Sequence, residues 1–385
     1  MIDIKSQIIK PALNLEDLRV VASAEGWKLT DLHSLGFFLN RNFKYRRKIT
    51  ITEQSGSDLT DYQVLIELNS TNFDFSHAQT NGEDIRFTDA DGNLLDYWIE
   101  EWDAVNEIAK VWVKVPPIPA NSSVEISMFY GNSEITSASD GASTFIRIID
   151  GVVGSWHFDE GSGTIAYDSS GNDNDGTING ATRVDGKYGK ALDFDGSDDC
   201  VEVANADSLN PTDITIEAWI NLASDPSTWS YAGGIVYKLY SYQWNVDTNS
   251  KLWWGIWGAA LHSNYVFSSD DIGQWHHTVI TFEKTGDNQG YGKIYVDGSL
   301  DNEGSLAEDI DATTEPVYIG RKVDGGYFHG IIDEVRIYNQ VLTAQEISDL
   351  YNNYGYTTEN YPGKVLVRKY TEPEPSVSIS EEETA

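Results

Sequence analysis

From Tyr45 onward, apolar and polar positions recur with a period near two. Arg47-Lys48-Ile49-Thr50-Ile51-Thr52 and Tyr62-Gln63-Val64-Leu65-Ile66-Glu67-Leu68 carry this pattern, which predicts strands with one buried face. Further strands are predicted at 84–88, 95–101, 108–115 and 123–130. They are separated by turn clusters such as Asp89-Ala90-Asp91-Gly92-Asn93 and by Pro116, Pro117 and Pro119. Residues 44–132 therefore read as a small β-sandwich. The Ser-, Thr- and Ala-rich stretch 133–149 reads as a linker.

A longer series follows over 150–353, including Ile214 to Leu222, Tyr242 to Val246, Lys251 to Ile256, His276 to Phe282 and Gly330 to Tyr338. About a dozen strands over some 200 residues predict a two-sheet jelly roll. One helix closes the series: Thr343 caps it, Glu346 stands at the third position, and Ile347 and Leu350 form its apolar face. Residues 354–385 are expected to form an extended segment ending in a solvated acidic tail from Pro373.

The first 43 residues differ. Asn14 can cap a helix from Leu15 to Glu25 with Leu15, Leu18, Val21 and Ala22 on one face and Gly26 as its stop. So short a segment builds no core of its own. It reads as a helical arm, packed on the next domain or anchoring the chain to other structural subunits.

Composition sharpens this all-β picture. The chain has 385 residues and a formal charge of −35. Such a surface repels phosphate backbones and anionic membranes, which argues against nucleic acid as a partner. No run of 18 apolar residues is present, so no transmembrane helix is expected and no membrane insertion. A single cysteine, Cys200, excludes an internal disulfide and a cysteine-based zinc site.

Acidic loops raise the question of calcium, which takes six to eight oxygen ligands. Asp168-Ser169-Ser170-Gly171-Asn172-Asp173-Asn174-Asp175-Gly176 concentrates such oxygens on a loop that glycine can bend. Asp168, Asn172 and Asn174 are the candidate ligands here. Asp89 to Glu100 has the length of an EF-hand loop, but Leu94 stands where its glycine belongs and the flanks are strands. It reads as a plain turn.

Several blocks of 150–353 resemble the laminin-G-like, concanavalin A-like jelly roll of lectins and surface adhesins. They include Gly154-Ser155-Trp156-His157-Phe158-Asp159-Glu160-Gly161, Asp168-Ser169-Ser170-Gly171-Asn172, Ala191-Leu192-Asp193-Phe194-Asp195-Gly196 and Thr215-Ile216-Glu217-Ala218-Trp219-Ile220. Gln274-Trp275-His276-His277, Tyr295-Val296-Asp297-Gly298 and Ile332-Asp333-Glu334-Val335-Arg336-Ile337-Tyr338 complete the set. Residues 44–132, with Tyr45-Arg46-Arg47-Lys48-Ile49-Thr50-Ile51 and Tyr97-Trp98-Ile99-Glu100-Glu101-Trp102, resemble a small domain of unknown function that precedes such jelly rolls in prokaryotic and viral surface proteins. The resemblance implies recognition or adhesion and leaves the ligand open. It also implies a structural calcium involving an acid of the final strand, a position that Asp333 occupies.

Sugars stack their C–H faces on Trp and Tyr rings while polar groups take the hydroxyls. Tyr240, Tyr242, Trp244, Trp253 and Trp257 gather where the concave face of the jelly roll is expected, and they are the candidate ligand-binding residues. Alternation places Tyr242, Trp244 and Val246 on one side, and Lys251, Trp253 and Gly255 on one side of the next strand. Glycosidase chemistry needs two carboxylates held across the bond. The strand acids Asp193, Asp195 and Glu217 lack such an arrangement, and no nucleophile elbow or phosphate loop occurs. No catalytic residue is assigned. The expectation is a non-enzymatic surface protein that binds a glycan or host-surface ligand. A purely structural decoration subunit and an accessory module of a glycan-degrading enzyme are the alternatives. Because the chain starts without an export signal, an exposed position on a virion or similar particle is expected ahead of a cell surface.

Overall fold

The computed structural model describes residues 42–256, 258–322 and 324–385. The arm 1–43 thus lies almost wholly outside the described residues. The chain divides into two units: residues up to Thr144 together with Thr371–Ala385, and Phe145–Tyr370.

The first unit is a β-sandwich. One sheet runs Ser376–Ile379, Tyr45–Thr52, Ser123–Tyr130, Arg86–Thr88, Leu94–Leu95, with Glu383–Thr384 also pairing to Tyr45–Thr52. The other runs Tyr62–Asn69, Ile108–Val115, Tyr97–Asp103. Alternation delivers Ile49, Ile51, Val64, Ile66, Val111, Val113, Ile126 and Met128 to the space between them. The acidic tail corrects the expectation of a solvated end. Val377 and Ile379 pair with Ile51 and Ile49 and pack against the core, because Ser-Val-Ser-Ile alternates like any edge strand.

The second unit holds two eight-stranded antiparallel sheets. Sheet A carries Thr182–Asp185, Lys190–Asp195, His329–Tyr338, Ile214–Leu222, Trp275–Gly286, Gln289–Val296 and Ser299–Leu306 in that order, with Val152–Trp156 paired to His329–Tyr338. Sheet B runs Ile165–Ala166, Gly176–Asn179, Cys200–Val203, Val317–Ile319, Gly233–Lys238, Tyr242–Val246, Leu252–Ile256, Ala259–His262. Both inner faces feed one core that includes Ile216, Ala218, Ile220, Trp156, Trp244, Trp254, Ile280 and Ile337.

A second layer covers the outer face of sheet A. It consists of the helix Ala344–Asn352 and a three-stranded sheet of Tyr354–Tyr356, Lys364–Arg368 and Arg147–Asp150. Ile149, Ile347, Leu350, Val365 and Val367 pack there on Val279, Tyr295 and Tyr338. The capping box of Thr343 and Glu346 is formed. Arg147–Asp150, which reads as linker in the sequence, is therefore a strand of this cover.

Candidate functional site

The covered face of sheet A contains the densest ionic network among the described residues. Arg336 donates from Nη1 to Glu217 Oε1 (2.8 Å) and from Nη2 to Glu334. Glu217 Oε1 also accepts from the Tyr338 hydroxyl (2.7 Å), and its Oε2 lies 3.1 Å from His277 Nε2. His157 Nδ1 lies 2.9 Å from Glu334 Oε1. Glu334 has φ +52°, and register slips here between the pairs Glu217–Arg336 and Trp219–Asp333. This bulge brings Asp333, Glu334 and Arg336 into one polar network. Burial works to raise the Glu217 carboxyl, but Arg336 and His277 outweigh it and hold the group down at about 2. Glu217 and Glu334 are each 1% exposed. Carboxylates so enclosed and so fully engaged cannot reach across a glycosidic bond.

Asp333 belongs to the same covered region. Its Oδ2 accepts from the Lys187 and Tyr188 amides (2.8 and 3.1 Å) and its Oδ1 from the Glu334 amide (2.8 Å). Burial and the Glu334 charge push its carboxyl well above the usual range.

The other proposed calcium ligands meet in a separate loop. Asp168 Oδ1 accepts from the Ser155 and Ser170 amides, and Oδ2 from the Ser170 hydroxyl and the Asn174 amide, all at 2.8–3.0 Å. A carboxylate offers about four acceptor sites, and here the protein fills them. Asn174 Nδ2 donates to the Val153 carbonyl (2.7 Å), and Asn172 Nδ2 to Ser170 Oγ (3.1 Å). These residues do not fit a calcium ligand set, and Asp333 stands with a different group of partners. A hydrogen-bonded loop staple and a calcium site draw on the same residues, since both need oxygens on a bent acidic loop. Among the described residues, the acids that do converge are Asp195, Asp198 and Asp199, whose carboxylate oxygens lie within 4.8 Å of one another. Asp199 already accepts from the Asp195 amide (2.9 Å), and an acidic turn alone defines no metal centre.

The aromatic candidates separate by strand parity. Tyr242 and Trp244 are fully buried in the core beside Val246, Leu252, Trp254 and Ile256. They are core residues, a correction to their assignment as ligand contacts: the alternation was right, but the side they share is the inner one. Tyr240 sits on a turn with φ +62°, half-exposed. Trp257 lies outside the described residues.

Trp253 points to the outer face of sheet B and is half-buried. Its ring lies down along the sheet over Gly255: a Cβ at Gly255 would meet Trp253 Cη2 at 2.7 Å. Cross-strand pairing sets Asn245 on one side of Trp253 and His262 on the other. The His262 ring meets the indole edge-on, centroids 6.4 Å apart. His262 Nδ1 is 3.3 Å from Asp247 Oδ2, and Asp247 Oδ1 is fixed by the Asn249 and Lys251 amides (2.8 and 3.0 Å). The neighbouring row along the same face is Tyr318, Tyr237 and Gln243, with the Arg321 guanidinium 4.4 Å from the Tyr318 ring centre. Asn245 Oδ1 is buried with no hydrogen-bond partner among the described residues. Sequence reasoning named Trp253 but missed His262, Asp247, Asn245 and Gln243, because their proximity depends on three hairpin registers.

The larger unit is thus an all-β, two-sheet antiparallel sandwich. Residues 195–348 match the model of the concanavalin A-like lectin/glucanases superfamily, and residues 81–166 match that of a domain of unknown function. No curated protein matches the chain. Among solved structures, the chain is similar to the binding domain of Paraclostridial Mosquitocidal Protein 1, at 19% identity and a TM-score of 0.43, with 52% of each chain covered. It is similar also to domain 4 of AbnA, an extracellular arabinanase from Geobacillus stearothermophilus, in complex with arabinotriose, at 21% identity and a TM-score of 0.43, covering 52% of this chain and 98% of that one. A third is the receptor binding domain of a botulinum neurotoxin C/D mosaic serotype, at 14% identity and a TM-score of 0.41, covering 55% of each. The chain thus spans about half the length of the first and third of these.

Proposed function

We propose that the protein is a non-catalytic recognition module, displayed at a surface, that binds a neutral carbohydrate on the outer face of sheet B. One observation carries this reading. Trp253 stands half-buried on the outer face of sheet B with its indole against Gly255, and the His262–Asp247 pair and Gln243 lie on the neighbouring strands. A pyranose can stack its C–H face on such a ring while the polar groups take its hydroxyls. The formal charge of −35 works against sialylated or sulfated glycans.

A glycan array followed by calorimetry tests this. Neutral oligosaccharides should bind, and Trp253→Ala should weaken binding at least about tenfold, some 1.4 kcal/mol. Equal binding by Trp253→Ala, or hits confined to anionic glycans, would overturn the assignment. An array without hits favours the structural reading, in which the jelly roll covers and stabilises a larger assembly.

A further inference from the structure

In a chain of formal charge −35, four of the five residues Lys44 to Lys48 are basic, and they border the edge of the first unit's larger sheet. What lies on that edge is the chain's own acidic tail. Ile49 and Ile51 pair with Ile379 and Val377, and Tyr45 and Arg46 with Thr384 and Glu383. Side chains seal the ladder. Arg47 Nη1 donates to the Ser380 carbonyl (2.7 Å). Glu382 Oε2 accepts from the Tyr130 hydroxyl (2.7 Å) and lies 2.9 Å from His77 Nδ1. Arg46 pairs with Glu383, and the His77 ring stacks on Tyr45 at 3.9 Å. Backbone pairing supplies generic affinity for an extended peptide. The basic strand and the Tyr130–His77 seat for one carboxylate supply selectivity.

This tail completes a unit from which it is separated in sequence by all of Phe145–Tyr370. The approach to it, Thr371-Glu372-Pro373-Glu374-Pro375, carries two prolines in three residues, a composition that favours an extended arm over a tight return. A tail from a second copy would make the same contacts, since the exchanged element is identical.

We propose that the Tyr45–Thr52 edge is an exchangeable strand-capture site for an acidic extended segment, filled by the chain's own tail or by the tail of a second copy, so that two chains link by reciprocal tail exchange. The occupant in trans is this chain's residues 371–385, selected by charge complementarity and by the seat for Glu382.

The test uses the full chain carrying a protease site between Tyr370 and Thr371. After cleavage the tail should remain bound through gel filtration and exchange with a fluorescent peptide of residues 371–385. Arg47→Ala in the chain, or Glu382→Gln in the peptide, should weaken uptake roughly tenfold or more, as for the loss of charged hydrogen bonds. High salt should act in the same direction. The uncut chain, when concentrated, should form a dimer that excess peptide returns to monomer. A cut tail that leaves and does not rebind overturns the capture site. A chain that stays monomeric at every concentration, or a dimer indifferent to peptide, overturns the exchange. Glu382→Gln keeps the chain intact if Arg47→Ala impairs folding.

Discussion

The two sheets of the jelly roll have the same number of strands and share one core, yet their outer faces have opposite fates. Sheet A carries Glu217, Asp333, Glu334, Arg336 and His277 under a helix and a small sheet. On sheet B, Trp253 and His262 carry no such layer among the described residues, and His262 keeps half of its side chain exposed. Charges taken out of water must be paired, or they cost several kcal/mol each. On the covered face each of these carboxylates is accordingly engaged by named donors. On the other face Trp253 and Tyr318 are only partly buried. Among the described residues the most heavily ionised cluster is scaffold, and the recognition proposed above rests on the chemically quieter face.

Breaking the scaffold should have the largest effect. Arg336→Met leaves Glu217 and Glu334 without their cation in a buried site, and should cost about 3–5 kcal/mol in chemical denaturation. Trp254→Ala, on the inner side of the strand that carries Trp253, should cost a similar ~3–5 kcal/mol. A loss below about 1 kcal/mol for Arg336→Met would mean that the cover holds without the network.

The pH dependence separates the same face further. Glu217 is held below its ordinary value of 4.5, at about 2. Its stabilisation is therefore complete above about pH 4.5 and is lost as the pH falls toward 2, a contribution of roughly 3 kcal/mol. Asp333, with its carboxyl raised by burial and by Glu334, acts with the opposite sign: its contribution is present below pH 3.8 and fades as it ionises. Glu217→Gln should flatten the acid limb of the stability curve, and Asp333→Asn should steepen it. Parallel curves for wild type and Glu217→Gln between pH 4.5 and 2 would contradict the pairing described here.

How far this was legible in the sequence depends on the range of the signal. The helix Ala344–Asn352 was readable because Thr343, Glu346, Ile347 and Leu350 lie within eight residues. The shared side of Tyr242, Trp244 and Val246 was readable from alternation. Which side faces the core was not, because Leu252, Trp254 and Ile256 settle it only through the register that sets Tyr242 opposite Ile256. The tail strand Ser376–Ile379 meets Tyr45–Thr52 more than 320 residues away, and four alternating residues before an acidic run resemble a solvated end. The aromatic face follows the same rule. Trp253 could be named, while His262 and Asp247 join it through hairpins whose pairing no local pattern fixes.

The open face should respond in affinity more than in stability. Trp253→Ala removes a half-buried ring and should cost only about 1–2 kcal/mol of folding stability, against the larger loss for its neighbour Trp254. Gly255→Ala is the finer probe. Its Cβ would press on the indole at 2.7 Å and lift the ring from the sheet without deleting it. Affinity for a neutral oligosaccharide should fall roughly fivefold, about 1 kcal/mol, with the Trp253 fluorescence shifted. Unchanged affinity would place the ligand elsewhere on the sheet.

The smallest effect concerns calcium at the Asp168 loop. A bound ion at a hundred times its dissociation constant would stabilise the fold by about 2.7 kcal/mol. Such an ion would need oxygens that Asp168 already commits to Ser155, Ser170 and Asn174. Asp168→Asn should therefore destabilise the jelly roll, because an amide cannot accept four hydrogen bonds and brings a donor into a site built of donors. That loss should be the same, to within about 0.5 kcal/mol, in millimolar calcium and in excess chelator. Using the variant isolates this loop from any ion held by Asp195, Asp198 and Asp199, whose contribution would appear equally in both proteins. If the cost of Asp168→Asn vanishes in chelator, the loop is a metal site after all, and its hydrogen bonds are what forms when the metal leaves.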